Sequence, residues 1–493
     1  MVQKKHEDPS TVSMSYEAMA PRLARAATLL GGTDAMRDAG DVYLPLHTEE
    51  TSRGWNERLF TNVLFNFYEI TLDQLAGKPF AEPMAFQDDV SDVFLEHAED
   101  IDLQGNTLDS FAHDWFKDAL RGAFSHVLVD FPRVDDKINP ETGEIIPRTK
   151  EDDRKENLRP YWVNISPEQV IFASADRING VETLTHLRIS ETVIERVGFA
   201  ETAIEQIRVY EPGTVEIYRR KDPKKESSDW ALFDAYETSP DRIPLVTFYT
   251  DREALMQGRP PLDDLAHMNI RHWQSMSDQI RSLTVSRFPM LVTKGVYENE
   301  QGMIRVGPEQ ALSVPADGDI KWLEATGSAI EQGRLELQDL EDRMGSYGAQ
   351  MMRKRPGNQT ATARSLDQVE TMSFLQASAV SFQSALEQAM LFHMMWLGED
   401  TGGSINIESD FRGMDESTQA ILSTLKEAHN DDVISRPAYV EELKRRDVLR
   451  EDYEQVKDKI LIDQEIAERV ALAELLAPEE PEAEAPPETP EED

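Results

Sequence analysis

The chain has 493 residues, 40% of them apolar, which is enough to build the cores of two to four domains. Its 93 acidic against 51 basic residues leave a net charge of −42, which excludes a broad surface gripping nucleic-acid phosphates, since such a chain repels the polyanion. The absence of cysteine removes disulfides, thiolate nucleophiles and zinc ribbons together.

At the N-terminus Lys4 and Lys5 are followed by His6-Glu7-Asp8-Pro9 and no apolar run. The longest uncharged apolar stretch, Ala389–Gly398, is too short to span a bilayer, so a soluble chain made in a cytoplasm, without a membrane partner, is expected. Residues 14–37 and 54–77 read as helices, the second with Leu59, Val63, Leu64, Phe67, Ile70, Leu72 and Leu75 on a broad apolar face and Gly77-Lys78-Pro79 at its end. After Gly105-Asn106-Thr107, a third helix carries Leu108, Phe111, Trp115, Phe116 and Leu120 at helical spacing, and Phe124–Phe131 reads as a buried strand closed by Pro132. Residues 133–158 are charged and turn-rich, an exposed excursion.

From Tyr161 to Tyr249 the period changes to two. Thr183–Ile189, Ile207–Tyr210, Val215–Tyr218 and Leu245–Tyr249 read as strands, with Glu211-Pro212-Gly213-Thr214 as a hairpin turn, so an antiparallel layer is expected. The fold class is then α+β, mainly helical.

Two helical stretches of equal length follow, Leu262–Ser286 and Ser328–Met352, separated by a β-like insert with Val292, Val296, Ile304 and Val306. The first starts after Pro260-Pro261, where a fixed φ suits a first turn, and sets Leu262, Leu265, Ala266, Trp273, Met276, Ile280 and Leu283 on one face, with Arg271, Asp278 and Arg281 on another. In the second, Ile330, Leu337, Met344 and Met351 recur every seven residues, with Gly333, Leu340 and Tyr347 between them, an a/d seam. Each would run roughly 37 Å. Such a pair suits assembly better than catalysis, although a helical hairpin inside an ordinary core produces the same period. The second stretch runs into Arg353-Lys354-Arg355-Pro356-Gly357-Asn358-Gln359-Thr360, a basic loop that Pro356 and Gly357 keep from continuing the helix. A C-terminal helix cap drawn by the dipole and a loop that meets phosphates both account for this cluster. Beyond it, Ala363–Leu397 reads as one long helix that kinks or tilts, because its apolar positions drift around the axis. Residues 415–429 and 437–475 read as further helices. Ala477–Asp493, with five prolines and eight acidic residues in 17 positions, cannot bury enough apolar surface to fold.

Enzyme signatures are missing: no Gly-x-x-x-x-Gly-Lys loop, Gly-x-Ser-x-Gly elbow or His-Glu-x-x-His pair occurs. Asp100-Ile101-Asp102 imitates the start of a calcium loop, but Phe111 stands where a bidentate carboxylate is needed. His267 and His272, the nearest of ten histidines, are five apart on a helix and do not share a face as ligands would. No cofactor and no metal are expected.

Several short segments, in order, resemble a portal protein of a tailed bacteriophage, of a type otherwise filed as a domain of unknown function. They are Tyr43-Leu44-Pro45-Leu46; Arg58-Leu59-Phe60 through Gly77-Lys78-Pro79-Phe80; Asp102–Phe111; Gly122 through Val129-Asp130-Phe131-Pro132; and Arg159-Pro160-Tyr161-Trp162. Further on come Pro260-Pro261-Leu262-Asp263-Asp264-Leu265-Ala266 with Asn269-Ile270-Arg271-His272-Trp273, then Glu324-Ala325-Thr326-Gly327 and Thr360-Ala361-Thr362-Ala363. Each is a short packing or turn signature, and their order and spacing carry the resemblance, from about residue 40 to about 450.

The resemblance implies a ring, usually of twelve subunits, at one capsid vertex, through which double-stranded DNA passes without being read. It implies an N-terminal arm over 1–40, a wing over 41–260, stem helices over 261–286 and 328–352, a clip over 287–327 and a tunnel loop over 353–362. A long wing or channel helix with its following segment would fill 363–414, crown helices 415–476 and a disordered acidic tail 477–493. The clip, with Lys294, Tyr297, Glu298, Gln301 and Arg305 on its outer surface, would meet the terminase large subunit and later a head–tail adaptor. Major capsid and scaffolding proteins would be further partners, in the virion and, during assembly, in the host cytoplasm. An acidic conduit also suits sliding DNA, because each neutralised phosphate adds affinity. A soluble scaffold or adaptor of the virion, or a hydrolase working through carboxylates, are the rival readings. Ring formation separates the first from a portal, and an activity screen with divalent metal tests the second.

Overall fold

The structure, a computed structural model, describes residues 8–132, 137–138, 145–146, 155–220, 229–238, 240–287, 290–294, 319–323, 328–352, 373–407, 409, 425–426, 438–440 and 443. Ser13 accepts from the Tyr16 N–H and opens α1 (Met14–Leu30), which buries Met19, Leu23, Ala26 and Leu29. Gly32, at φ +70°, interrupts the run before α2 (Gly32–Asp38) is complete, so the one helix expected over 14–37 is two. The helix expected over 54–77 also divides, into α3 (Ser52–Thr61) and α4 (Phe67–Gly77). Asn62 is extended at φ −77°, ψ 148°, and Asn66 caps α4 by accepting from the Glu69 N–H. The break frees the two halves to orient separately, so Leu59, Leu64, Leu72 and Leu75 are buried while Val63 and Ile70 are exposed.

After β1 (Ala85–Phe86) and α5 (Asp92–Ala98), Thr107 caps α6 (Leu108–Gly122), whose buried face includes Leu108, Phe111, Trp115, Phe116 and Leu120. Ala123, at φ +74°, turns the chain into β2 (Phe124–Asp130), buried along its whole length. Within 133–158, β3 (Lys137–Ile138) pairs with β4 (Ile145–Ile146), and most of the remaining excursion lies outside the described residues.

β5 (Tyr161–Ile165), β6 (Val170–Ile178), β7 (Val181–Val197), β8 (Ala200–Glu211), β9 (Thr214–Arg220), β10 (Trp230–Glu237) and β11 (Leu245–Tyr249) follow. They form two antiparallel sheets, β11-β2-β5 and β10-β9-β8-β7-β6. The strands read from alternation lie within β7, β8, β9 and β11; β5, β6 and β10 complete the sheets. The Pro212-Gly213 turn joins β8 to β9 with Glu211 opposite Thr214 and Gly213 at φ +80°, as a proline-glycine turn requires.

β12 (Arg252–Ala254) and β13 (Gln257–Gly258) lead into α7 (Asp263–Arg287), one residue later at each end than expected. β14 (Met290–Lys294) pairs with β15 (Asp319–Leu323), and α8 (Ser328–Met352) follows. α9 spans Phe374–Trp396, with the Ser373 side chain accepting from the Gln376 N–H as its cap; residues 363–372 of the long helix expected there lie outside the described residues. β16 (Ile405–Asn406) returns to pair with β1.

The main core lies between the helices and the three-stranded sheet. Phe382 of α9 is its hub, with ring centroids 4.8 Å from Phe248, 4.9 Å from Trp115 and 5.1 Å from Phe116. A second cluster, with Leu23, Phe124, Leu187, Tyr210 and Leu245, joins the two sheets through α1. Residues 412–493 form a separate unit whose described pieces include buried Leu443.

Two buried histidines sit in this fold. His126 on β2 and His393 on α9 are each pushed down to about 3, both by burial, His393 also by His97 and Arg159. Unfolded histidine takes up a proton near pH 6.5 and these two do not, so their stabilisation is complete above pH 6.5 and is lost as pH falls. Acidification from pH 7 to 5 is expected to cost on the order of 2 kcal/mol per histidine. Urea denaturation across that range should show it, and His126→Gln with His393→Gln should flatten the slope.

Candidate assembly stem

The stem pair is rooted in the core. The Asp263 N–H donates to the Pro260 carbonyl (3.1 Å) to start α7, and Arg25 pairs with the Asp263 carboxylate in the first turn. Leu262, Leu265, Ala266, Ile270 and Trp273 then enter the main core. α8 runs antiparallel beside it. The Tyr347 hydroxyl donates to the Pro261 carbonyl (3.3 Å), His272 Nε2 meets Glu341 Oε1 (3.1 Å), and Gln279 Nε2 donates to the Ile330 carbonyl (2.9 Å). Arg271 also bonds Glu336 (3.0 Å). These contacts hold one register from the Pro-Pro start to the last turns before the insert. Gly333 permits it, because a Cβ there would stand 2.3 Å from Gln279 Oε1.

Along α8, Leu337 and Met344 are buried, Leu340 and Tyr347 pack against the main core, and Ile330 is half-buried. The Met351 side chain lies outside the described residues. The outward face carries Glu331 with Arg334, exposed Asp339 and Asp342, and exposed Leu335.

Polar side chains bind the stem to the body. Asn269, fully buried, donates from Nδ2 to the Phe65 carbonyl (2.9 Å) and accepts from the Tyr68 N–H (2.9 Å), supplying a partner to an otherwise orphaned donor at the start of α4. Asn62 Nδ2 donates to the Trp273 carbonyl (2.7 Å). Arg58, also buried, grips Glu50 with two nitrogens (2.9 and 3.1 Å), Asp278 with a third contact (3.1 Å) and the Pro45 carbonyl (2.8 Å). Burial pushes the Glu50 carboxyl up, but the Arg58 hydrogen bonds outweigh it and hold the group below its ordinary range. Arg281 donates to the Gly54 carbonyl (3.3 Å). Asp278 and Arg281, read from the sequence as a separate polar face, therefore attach α7 to the body near α3.

At the far end, β14 and β15 pair from Met290 opposite Leu323 to Lys294 opposite Asp319, with Val292 exposed. The Lys294 side chain lies outside the described residues, as do Tyr297, Glu298, Gln301 and Arg305, and the loop of Arg353, Lys354, Arg355, Pro356, Gly357, Asn358, Gln359 and Thr360. Sequence reasoning missed Arg58, Asn62, Asn269 and Asp278 as clamps. The available signal was a buried-type polar residue, Asn269, directly beside apolar Ile270 on the core face of α7.

The calcium-like segment is a turn closed on itself. Asp102 Oδ1 accepts from the Gln104 and Asn106 N–H groups and Oδ2 from Asn106 Nδ2, while Asp100 accepts from the Gly105 N–H. Among the described residues no three potential ligands converge as a metal site. A cleft of about 340 Å³ beside α6 is lined by Asp114, Lys117, Asp118 and Arg121, but Lys117 pairs with Asp73, and Arg121 with Asp118 and Glu168. No helix among the described residues is long and apolar enough to cross a membrane.

A sequence-family model described as "Domain of unknown function (DUF4055)" matches residues 261–397, the span from the start of the stem to the end of α9. No curated protein matches the chain. Among solved structures, the chain is similar to the neck of an empty GTA particle computed with C6 symmetry, at 10% identity and a TM-score of 0.37, covering 88% of this chain and 99% of that one. It is also similar to the neck of a native GTA particle computed with C12 symmetry, at 8% identity and TM-score 0.33 (76% and 88% covered). For the virion of a native gene transfer agent particle the values are 11% and 0.34 (89% and 98% covered). TM-scores of this size fix neither fold nor function.

Proposed function

We propose that this chain is a portal-type subunit of a tailed-phage particle, forming a ring at one capsid vertex through which double-stranded DNA enters and leaves. The observation that carries the reading is the stem: two antiparallel helices of 25 residues, rooted together in the core, with an antiparallel strand pair between them at the other end. Two of the segments that resemble portal proteins supply residues that join the helix pair to the body. Arg58, Asn269 and Trp273 lie in them, and all three fasten stem to body. In this reading α7 and α8 are the stem, 287–327 the clip that meets the terminase and later an adaptor, and the chain acts without catalysis or cofactor. A closed ring formed by the purified full chain tests the proposal.

The loop Arg353–Thr362 is the part of the conduit that touches DNA in this reading. Twelve copies would place Lys354 and Arg355 as a basic ring in an acidic tube, contacting backbone without reading bases. Replacing both with alanine should leave ring formation unchanged, because exposed charges contribute little to stability, while DNA retention or passage in a packaging assay changes. Loss of rings with normal DNA handling in any that survive would make the cluster a cap or interface contact.

A further inference from the structure

The β7–β8 hairpin outgrows its sheet. Among the described residues β6 pairs with β7 only as far as Ile189, the Ser190 N–H still donates to the Gln169 carbonyl, and β9 pairs with β8 only from Gln206 onward, so Glu191–Glu205 continue there as a two-stranded ribbon. Two strands alone are marginally stable in water, and bare edges invite pairing. Val197 opposite Ala200 leaves a two-residue turn with Gly198 at φ +67°, and this puts Phe199 at the apex with its whole surface in solvent (103% exposed). Ile194 and Val197, 66% and 70% exposed, stand beside it. A large apolar tip without a cover is an anchor without its pocket.

A second uncovered apolar group lies on the α3–α4 break: Phe60, Val63, Phe65 and Ile70. We propose that the β7–β8 ribbon is an arm whose tip docks on this group in a second copy of the chain; the proposal rests on the ring reading and specifies one of its contacts. Among the described residues neither surface has a cover, and a second copy offers each the other. Knob and patch differ, so the contact is head-to-tail, the kind that closes a ring. Their areas match: with aromatic side chains covering roughly 200 Å², each presents on the order of 500 Å², together near the ~1,000 Å² of a specific interface.

Charge favours another copy over a basic or polyanionic partner. Copies carrying −42 repel, so a surface that joins them must neutralise its carboxylates first. On the ribbon Glu191 is held by Arg208 (2.8 Å), Glu195 by Arg219 (2.7 Å) and Glu205 by Arg220 (2.5 Å), while Glu201 stands opposite Arg196. Beside the patch, Glu57 is held by Arg53 (3.0 Å).

Because the chain has no cysteine, pairs introduced by mutation report without background. The full chain carrying Ala200→Cys and Val63→Cys, with Phe199 kept, should give a ladder of covalent multimers on mild oxidation, and neither single variant should. Phe199→Ser, at an apex that touches nothing, should leave the monomer's melting unchanged and raise the concentration needed for assembly roughly thirtyfold. Wild-type rings without the ladder, rings unaffected by Phe199→Ser, or an equal cross-link from Ala200→Cys alone would overturn the arm and leave the ring reading standing. A wild-type chain that stays monomeric would overturn both.

Discussion

Replacing Leu337 with Asp is expected to separate the stem helices and abolish ring formation. Leu337 is buried on α8, level with the stretch of α7 that bonds Glu336 and Glu341. A carboxylate placed there either stays charged without a partner or binds a proton, and either costs several kcal/mol. The carboxylates already around it, Glu336 and Glu341, add like-charge repulsion. Leu335→Asp, two residues away and exposed, is the control: its effect on monomer melting should be within about 0.5 kcal/mol. Circular dichroism melts of both variants check this, and wild-type melting and rings from Leu337→Asp would show that the stem seam is not where Leu337 lies.

Arg58→Met is expected to lower stability by roughly 3–5 kcal/mol, because removing one partner of a buried pair leaves the other charge uncompensated. Glu50 would then be a buried carboxylate whose nearest remaining cation is Arg281, 3.9 Å away and half-exposed. The same variant releases Asp278 and so loosens α7 from α3. Adding Glu50→Gln to Arg58→Met should restore part of the loss, since neither partner is then charged; urea titration of the four chains gives the coupling directly. The pair also has a pH signature. Glu50 sits below its ordinary range, so its contribution is present above the unfolded carboxylate pKa and is lost as pH falls through the folded one.

What was legible in the sequence was what local chemistry decides. Pro260-Pro261 marks the start of α7, the seven-residue recurrence marks α8, the apolar-rich run Phe124–Phe131 before Pro132 marks β2, and Pro212-Gly213 marks a turn. What was illegible is decided by distant partners. The apolar period continues through 54–77, and the break at Asn62–Asn66 is held by groups far along the chain, the Trp273 carbonyl and the Asn269 side chain. The start of α9 at Phe374 is set by a capping serine at 373 that the apolar pattern did not single out. The β7–β8 ribbon was hidden because Glu191-Thr192-Val193-Ile194-Glu195-Arg196-Val197 mixes charge with β-branched residues on both faces, which resembles neither a half-buried strand nor a loop. Asp278 read as part of a polar face and Arg58 was not singled out, because an ion pair between residues 220 apart leaves no local pattern. The basic loop and the outer clip residues, which the functional reading needs most, fall outside the described residues.

The central claim is assembly, and the most direct measurement is the native mass of the purified full chain across concentration and salt. A portal-type ring predicts one closed species, about 670 kDa if twelve 56.0 kDa chains assemble, that persists on dilution and appears as a ring with a central opening by electron microscopy. A single species at the monomer mass under every condition, or open filaments of undefined length, would contradict it.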